Sequence, residues 1–217
     1  MHRALTSFRA TPGLALSFAA LFGYAGAAYA QPPAQAGRSF EVSGGTGWGS
    51  LWDDETMLGR GAAVRGGAGV LLRDRLLLSG DVDWMRHTRD SGYLAAGGDV
   101  LGVFARATYL FRNPTARVRP TLGGGGGAVR STGTLTFSSY LSGSGGPPIA
   151  GPVTQRDWTL THGAFDVSGG VRIRVGERLW IRPEVTWRAT GGSDRSESIE
   201  PPLIQVRTLV NVDLRLR

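Results

Sequence analysis

The sequence predicts an all-β fold, an eight-stranded antiparallel up-and-down transmembrane β-barrel. Three observations lead to it: apolar and polar side chains alternate with a period of two, glycine is too frequent for helices, and short and long connections alternate. Successive side chains of a strand point to opposite faces, so a strand between lipid and a polar interior has to alternate. The absence of cysteine from the 217 residues excludes a disulfide scaffold and a thiolate zinc site.

The first thirty residues have the features of a cleavable signal peptide. Arg3 and Arg9 precede an apolar stretch, 14–28. That stretch is shorter than the roughly 20 apolar residues that a spanning helix needs. Ala28 and Ala30 are the small residues expected before a cleavage site. We therefore expect residues 1–30 to be removed on export and residues 31–217 to form the outer-membrane barrel.

Eight segments after the signal peptide alternate between two faces. In the seventh, Ile181 and Val185 share one face, whereas Arg182, Glu184 and Arg188 share the other. The central part of the apolar face carries no charged residue in any segment, which fits a lipid-facing surface because a charge at the bilayer midplane costs about 2–4 kcal/mol. In chain order the segments are 39–48, 64–73, 76–87, 101–112, 118–128, 165–175, 179–190 and 204–216.

A soluble barrel with an apolar interior would alternate in the same way, so strand and connection lengths decide between the two. The segments have about ten to fifteen residues, whereas soluble strands usually have about 5–6 and a tilted spanning strand needs about 9–11. Short periplasmic turns and longer external loops are typical of spanning barrels. Short connections at 73–75, 112–116 and 176–178 (the turn end) alternate with long ones at 49–59, 88–97, 131–159 and 191–202 (the loop end).

Six aromatic residues on the apolar face are predicted to form two belts at the membrane interfaces. Amphipathic rings prefer this depth, where one part of the side chain meets lipid and the other meets water. The belt at the loop end would contain Trp48, Trp84 and Trp187, and the belt at the turn end Phe40, Tyr109 and Phe111.

The polar faces predict a network of arginines and carboxylates inside the barrel. Eight strands enclose a space just wide enough for side chains to fill, and guanidinium groups pair two-pronged with carboxylates. We expect the network to plug the lumen and any residual conductance to be small and to favour anions. The inward-facing set includes Glu41, Arg65, Asp81, Asp83, Arg106, Arg119, Asp166, Arg172, Arg174, Arg182, Glu184, Arg188, Arg207, Asp213 and Arg215.

One hairpin carries a family resemblance. It reads Asp166-Val-Ser-Gly-Gly-Val-Arg-Ile-Arg-Val-Gly-Glu-Arg-Leu-Trp-Ile-Arg-Pro-Glu-Val-Thr-Trp187 and is similar to the hairpin between the sixth and seventh strands of the OmpA-type transmembrane domain and related small porin-like outer-membrane barrels. The resemblance covers essentially all of the mature chain. It implies a location in the outer membrane of a Gram-negative cell envelope, with outer-membrane lipid and the barrel assembly machinery as partners.

We predict a non-enzymatic barrel that serves envelope structure or surface interaction. The alternatives are a narrow porin-like channel for small solutes, a lipid-modifying enzyme and a soluble periplasmic lipid-binding barrel. Asp81, Asp83 and His87 share the inner face near the outer rim and are the candidates for a base with an orienting carboxylate. No serine stands two residues after His87 or His162, as the deacylase pattern requires. We therefore predict no catalytic residue, cofactor or metal site.

Two further features bear on partners. The formal charge of +7 does not indicate nucleic-acid binding, because the arginines are dispersed along the chain. The glycine run 123–127 lacks the lysine and Ser/Thr of a phosphate loop, and it favours close strand packing. In the third loop, either an unspecialised flexible segment or a contact surface for a ligand is expected. The predicted contacts are Tyr140, Leu141, Ile149 and Trp158.

Overall fold

The computed structural model describes residues 38–53, 56–91, 94–141, 149–191 and 203–216. These residues contain no helix, and therefore none that could cross a bilayer. The predicted signal peptide, residues 1–30, lies outside the described residues. The strands are β1 (Arg38–Asp53), β2 (Thr56–Leu72), β3 (Leu76–Asp90), β4 (Leu94–Leu110), β5 (Val118–Leu141), β6 (Ile149–Arg174), β7 (Leu179–Gly191) and β8 (Leu203–Leu216).

The strands form a closed antiparallel barrel. Each strand pairs with its neighbours in sequence, and β1 also pairs with β8, from Phe40 opposite Leu216 to Asp53 opposite Leu203. In the closed part of the barrel each described strand therefore has a neighbour on both sides, as a sheet in lipid requires, whereas the protruding part of β6, from Ile149 to His162, pairs with β5 alone. The predicted eight-stranded up-and-down barrel is confirmed.

Tight turns join β2 to β3, β4 to β5 and β6 to β7 at the turn end. In the first, Arg73 and Asp74 have φ angles of 48° and 54°, and the Arg75 N–H donates to the Leu72 carbonyl over 3.0 Å. Two consecutive positive φ angles are characteristic of the type I′ turn, whose twist matches that of the flanking strands. The positions of these turns agree with the sequence pattern.

At the loop end the strands extend farther than predicted. β5 runs to Leu141 and β6 starts at Ile149, and the two remain paired where a loop was expected, with Ser131 opposite Leu160 and Thr136 opposite Gln155. The prediction of a loop over 131–159 is therefore wrong for the residues in these strands. Threonine is frequent here, and its β-branched side chain favours strands.

The barrel interior is layered along its axis. A small cluster of Leu71, Leu77 and Leu110 lies at the turn end, and charged side chains fill the middle. The prediction of a polar interior is wrong toward the loop end, where an apolar cluster lies inside. This cluster contains Leu51, Leu58, Ala63, Met85, Ala96, Val100, Phe104, Val129, Leu135, Trp158, Leu160, Leu203 and Leu209.

The two faces of the strands exchange polarity beside this apolar cluster. The outward-facing residues there include Arg60, Arg86, Asp99 and Arg130 rather than apolar ones. An antiparallel sheet with a solvated outer face places its apolar residues on the covered inner face. The change on β3 is abrupt, because Trp84 faces outward and the next outward residue is Arg86.

Candidate functional site

The charged lumen is the candidate site, and one of its centres is Asp83. This carboxylate is fully buried and accepts two hydrogen bonds from Arg188, at 3.0 Å from Nη1 and 2.5 Å from Nη2. Nη1 of Arg207 lies 2.6 Å from the same carboxylate. The Arg188 guanidinium also lies 3.8 Å from the ring centroid of Phe104, so a cation–π contact adds to the two-pronged ion pair.

Arg106 joins this centre to the next level of the lumen. Its guanidinium lies 3.2 Å from Asp81, 3.7 Å from Glu184 and 4.0 Å from Asp83, and it donates a hydrogen bond to Asp166. Glu184 in turn accepts a hydrogen bond of 2.5 Å from Arg65. One arginine therefore contacts four carboxylates that come from three other strands.

The network continues toward the turn end. Arg182 lies 3.3 Å from both Glu184 and Asp213, and Arg172 lies 3.4 Å from Asp213 and 2.8 Å from Glu41. Trp180 points into the lumen, and the guanidinium of Arg172 lies 4.5 Å from its ring centroid. Ion pairs thus run without a break from Asp83 to Glu41.

The predicted lumen residues all lie on the inner side of the barrel. Those named so far are buried, whereas Arg174 and Arg215 are half-buried. Arg119 and Arg174 do not join the ion pairs among the described residues. Arg119 donates to backbone carbonyls including that of Leu110 at 3.2 Å, and Arg174 donates to the Pro114 carbonyl at 2.9 Å.

Inward-facing glycines make room for the charged side chains. A Cβ atom at Gly102 would lie 2.8 Å from Oδ1 of Asp83 and 3.1 Å from Nη1 of Arg188. A Cβ atom at Gly67 would lie 2.0 Å from Oδ1 of Asp81. In a barrel this narrow, a side chain at every inward position would exceed the available volume.

The residues considered for catalysis, Asp81, Asp83 and His87, contact different partners among the described residues. The Asp83 carboxylate binds arginines, and no hydrogen bond joins it to His87 in the described part of the chain. His87 is buried against Trp158, with ring centroids 6.2 Å apart. The prediction that Trp158 is an exposed contact is wrong, because its side chain points into the apolar cluster. Of the other predicted contacts, the side chains of residues 140, 141 and 149 lie outside the described residues.

The outer face carries the predicted aromatic residues. Trp48, Tyr109, Phe111 and Trp187 are exposed, with Trp48 the most exposed at 56%. Phe40 and Trp84 are half-buried on the same face. Tyr109 and Phe111 pack edge to face, with centroids 4.9 Å apart. Exposed apolar residues fill the band between the two aromatic groups, among them Val103, Leu122, Val167, Val185 and Val210.

The fold of this barrel has counterparts among solved structures. The chain is similar to the crystal structure of Neisserial surface protein A, with a TM-score of 0.57 and 18% identity over 83% of this chain and 99% of that one. It is also similar to a major outer membrane protein from Thermus thermophilus, with a TM-score of 0.55 and 11% identity over 82% of this chain and 99% of that one. The fold is that of the small outer-membrane β-barrels. No protein-family model matches the sequence, and no curated protein matches it by sequence similarity.

Within this barrel fold, the predicted network of charged residues left out several uncharged side chains that also face the lumen. Gln205, Thr186 and Asn211 are fully buried, and Gln205 accepts a 2.7 Å hydrogen bond from Arg207. Phe104 and Trp180 stack against the arginines. Their inward direction follows from their position between residues of the opposite face, so the alternation itself was the signal that could have found them.

Proposed function

We propose that this chain spans the outer membrane as a β-barrel with a closed lumen. The observation that carries the proposal is the inversion of ordinary protein polarity, with large apolar side chains exposed around the band and ion pairs buried on the axis. An exposed apolar surface that encircles a protein is unfavourable in water and favourable in lipid. Toward the loop end the outer face becomes polar, which fits a wall that leaves the membrane and meets solvent.

We further propose that the protein is not an enzyme and serves envelope structure or surface interaction. The lumen carboxylates Asp81 and Asp83 support this, because both are engaged by arginine rather than exposed to a substrate. The long β5–β6 hairpin supports a surface role, because it extends farther than the other strands at the loop end. Its partner would be a ligand at the cell surface, and nucleic acid is not among the proposed partners.

The narrow-channel alternative has less support. The arginines reach across the lumen at several levels, from Arg188 at Asp83 to Arg172 at Glu41. An ion on the axis would have to displace these paired groups. A wide permanent pore is therefore not part of the proposal.

The test is membrane extraction followed by electrophoresis with and without boiling. The protein should remain in the outer-membrane fraction after a carbonate wash, and the unboiled sample should migrate differently from the boiled one because a closed barrel resists detergent. A protein that is released by the wash and shows no such shift would contradict membrane insertion.

A further inference from the structure

The three turns at the turn end of the barrel contain five exposed arginines, which we call the turn arginines: Arg73, Arg75, Arg112, Arg117 and Arg178. They lie in three separate turns around the circumference of the barrel. None of them forms an ion pair with another residue that the structure describes. Their charge is therefore available to a partner outside the chain.

Few acidic residues accompany the turn arginines. The three short connections contain two, Asp74 and Glu177, and the Asp74 carboxylate already lies 3.2 Å from Arg215. The four long segments 49–59, 88–97, 131–159 and 191–202 at the loop end have the opposite balance, with eight acidic residues and three arginines in the sequence. The excess positive charge of the connections is thus confined to one end of the barrel.

Each turn with these arginines borders the apolar band. Arg112 directly follows exposed Phe111, and Arg178 directly precedes exposed Leu179. Arg117 directly precedes Val118, which is also exposed. A guanidinium at the edge of a lipid-facing band lies at the depth of the lipid headgroups, and its planar fork matches a phosphate group.

We propose that the turn arginines bind the phosphodiester headgroups of anionic phospholipids in the leaflet that faces the turn end. This inference rests on the proposed function, since only a barrel that spans a membrane brings its turns to headgroup depth. A soluble polyanion is less suited to the arrangement, because the arginines are spread around a rim beside apolar residues. Separate lipid molecules can reach separate turns.

The test uses the purified protein reconstituted into phosphatidylcholine vesicles at low salt. Electron paramagnetic resonance with spin-labelled phosphatidylglycerol or phosphatidylcholine gives the relative association constant of the two lipids. We expect a preference for phosphatidylglycerol of about fivefold, the effect of roughly one arginine at an anionic surface. At 1 M salt, where the screening length is about 3 Å, the preference should disappear.

Three triple variants identify the arginines responsible. The turn variant (Arg73→Gln, Arg112→Gln, Arg178→Gln) should bind the two lipids almost equally. The matched loop-end variant (Arg60→Gln, Arg130→Gln, Arg156→Gln) removes the same charge from exposed positions and should keep the preference. The third variant has lysine instead of glutamine at the same three turn positions, and it should restore most of the preference for phosphatidylglycerol. Heat-dependent migration verifies that each variant is folded.

The inference would be overturned by equal association of both lipids with the inserted wild-type protein, or by equal losses of the preference in the turn and loop-end variants. Binding of a soluble polyanion without selectivity among lipids would also overturn it. Failure to insert into neutral phosphatidylcholine vesicles is a different result, because it contradicts the proposed function itself and is seen before any lipid is compared.

Discussion

Individual residues in the lumen are held by charges that come from distant parts of the chain. Arg188 and Asp83 are 105 residues apart in sequence, and Arg172 and Glu41 are 131 apart. The alternation of the strands predicts that each of these residues faces inward. It does not predict which carboxylate meets which arginine, because that depends on how the closed barrel staggers its strands.

Replacing Asp83 with asparagine should destabilise the folded barrel strongly. The substitution preserves shape but leaves the Arg188 and Arg207 guanidinium groups without their nearest negative charge. Removing one partner of a buried ion pair typically costs about 3–5 kcal/mol. Urea unfolding in lipid or detergent, followed by tryptophan fluorescence, should therefore give a lower free energy of unfolding for Asp83→Asn by about 3 kcal/mol.

Asp74→Asn is the matched control for this prediction. Asp74 also pairs with an arginine, Arg215, but its side chain is 43% exposed. Exposed ion pairs contribute about 0–1 kcal/mol because water screens them. Equal losses for the two variants would show that burial does not set the strength of the lumen pairs.

At the scale of strands, prediction from the sequence succeeded at the turn end of the barrel and failed at the loop end. The predicted starts of β3, β5 and β7 coincide with Leu76, Val118 and Leu179, because glycine and charged residues interrupt the alternation sharply at the turns. Toward the loop end, serine, threonine and glycine are frequent in β5 and β6, so the alternation is harder to recognise in the sequence. At this end the inner face is apolar and the outer face is polar, which is the reverse of the middle of the barrel. The expectation of a polar interior therefore did not predict the inner apolar cluster.

A strand that crosses the apolar band should tolerate an outward arginine at its loop end but not within the band. Val103 on β4 faces outward within the band and is 57% exposed. Val103→Arg should destabilise the inserted barrel by about 2–4 kcal/mol, as expected for a charge near the bilayer midplane. Ala95 is exposed on the same face of the same strand, beyond Asp99. Ala95→Arg should therefore cost less than about 1 kcal/mol.

Unfolding titrations of both variants in lipid vesicles measure these costs. The comparison holds the strand, the face and the introduced side chain constant and changes only the depth. If Ala95→Arg were as destabilising as Val103→Arg, the loop end of β4 would lie in hydrocarbon. If both were harmless, the outer face would not contact hydrocarbon at all.

At the largest scale, the barrel is a closed wall around a network that has more arginines than carboxylates among the described residues. Ions that enter the lumen meet paired side chains at successive levels, and the excess of arginine repels cations more than anions. In planar bilayers the wild-type protein should therefore show small currents that favour anions. A large pore selective for cations would contradict this account of the lumen.

Arg106→Ala should weaken this preference for anions, because Arg106 contacts Asp81, Asp83, Asp166 and Glu184 at once. Its removal takes one guanidinium group away from these carboxylates and opens space along the barrel axis. The reversal potential under a salt gradient should shift toward that of cations, and the conductance should rise. Arg60→Ala is the matched control, since Arg60 is exposed on the outer face and its loss should change neither quantity. Equal shifts in the two variants would mean that selectivity follows the total charge of the protein rather than the charges that line its axis.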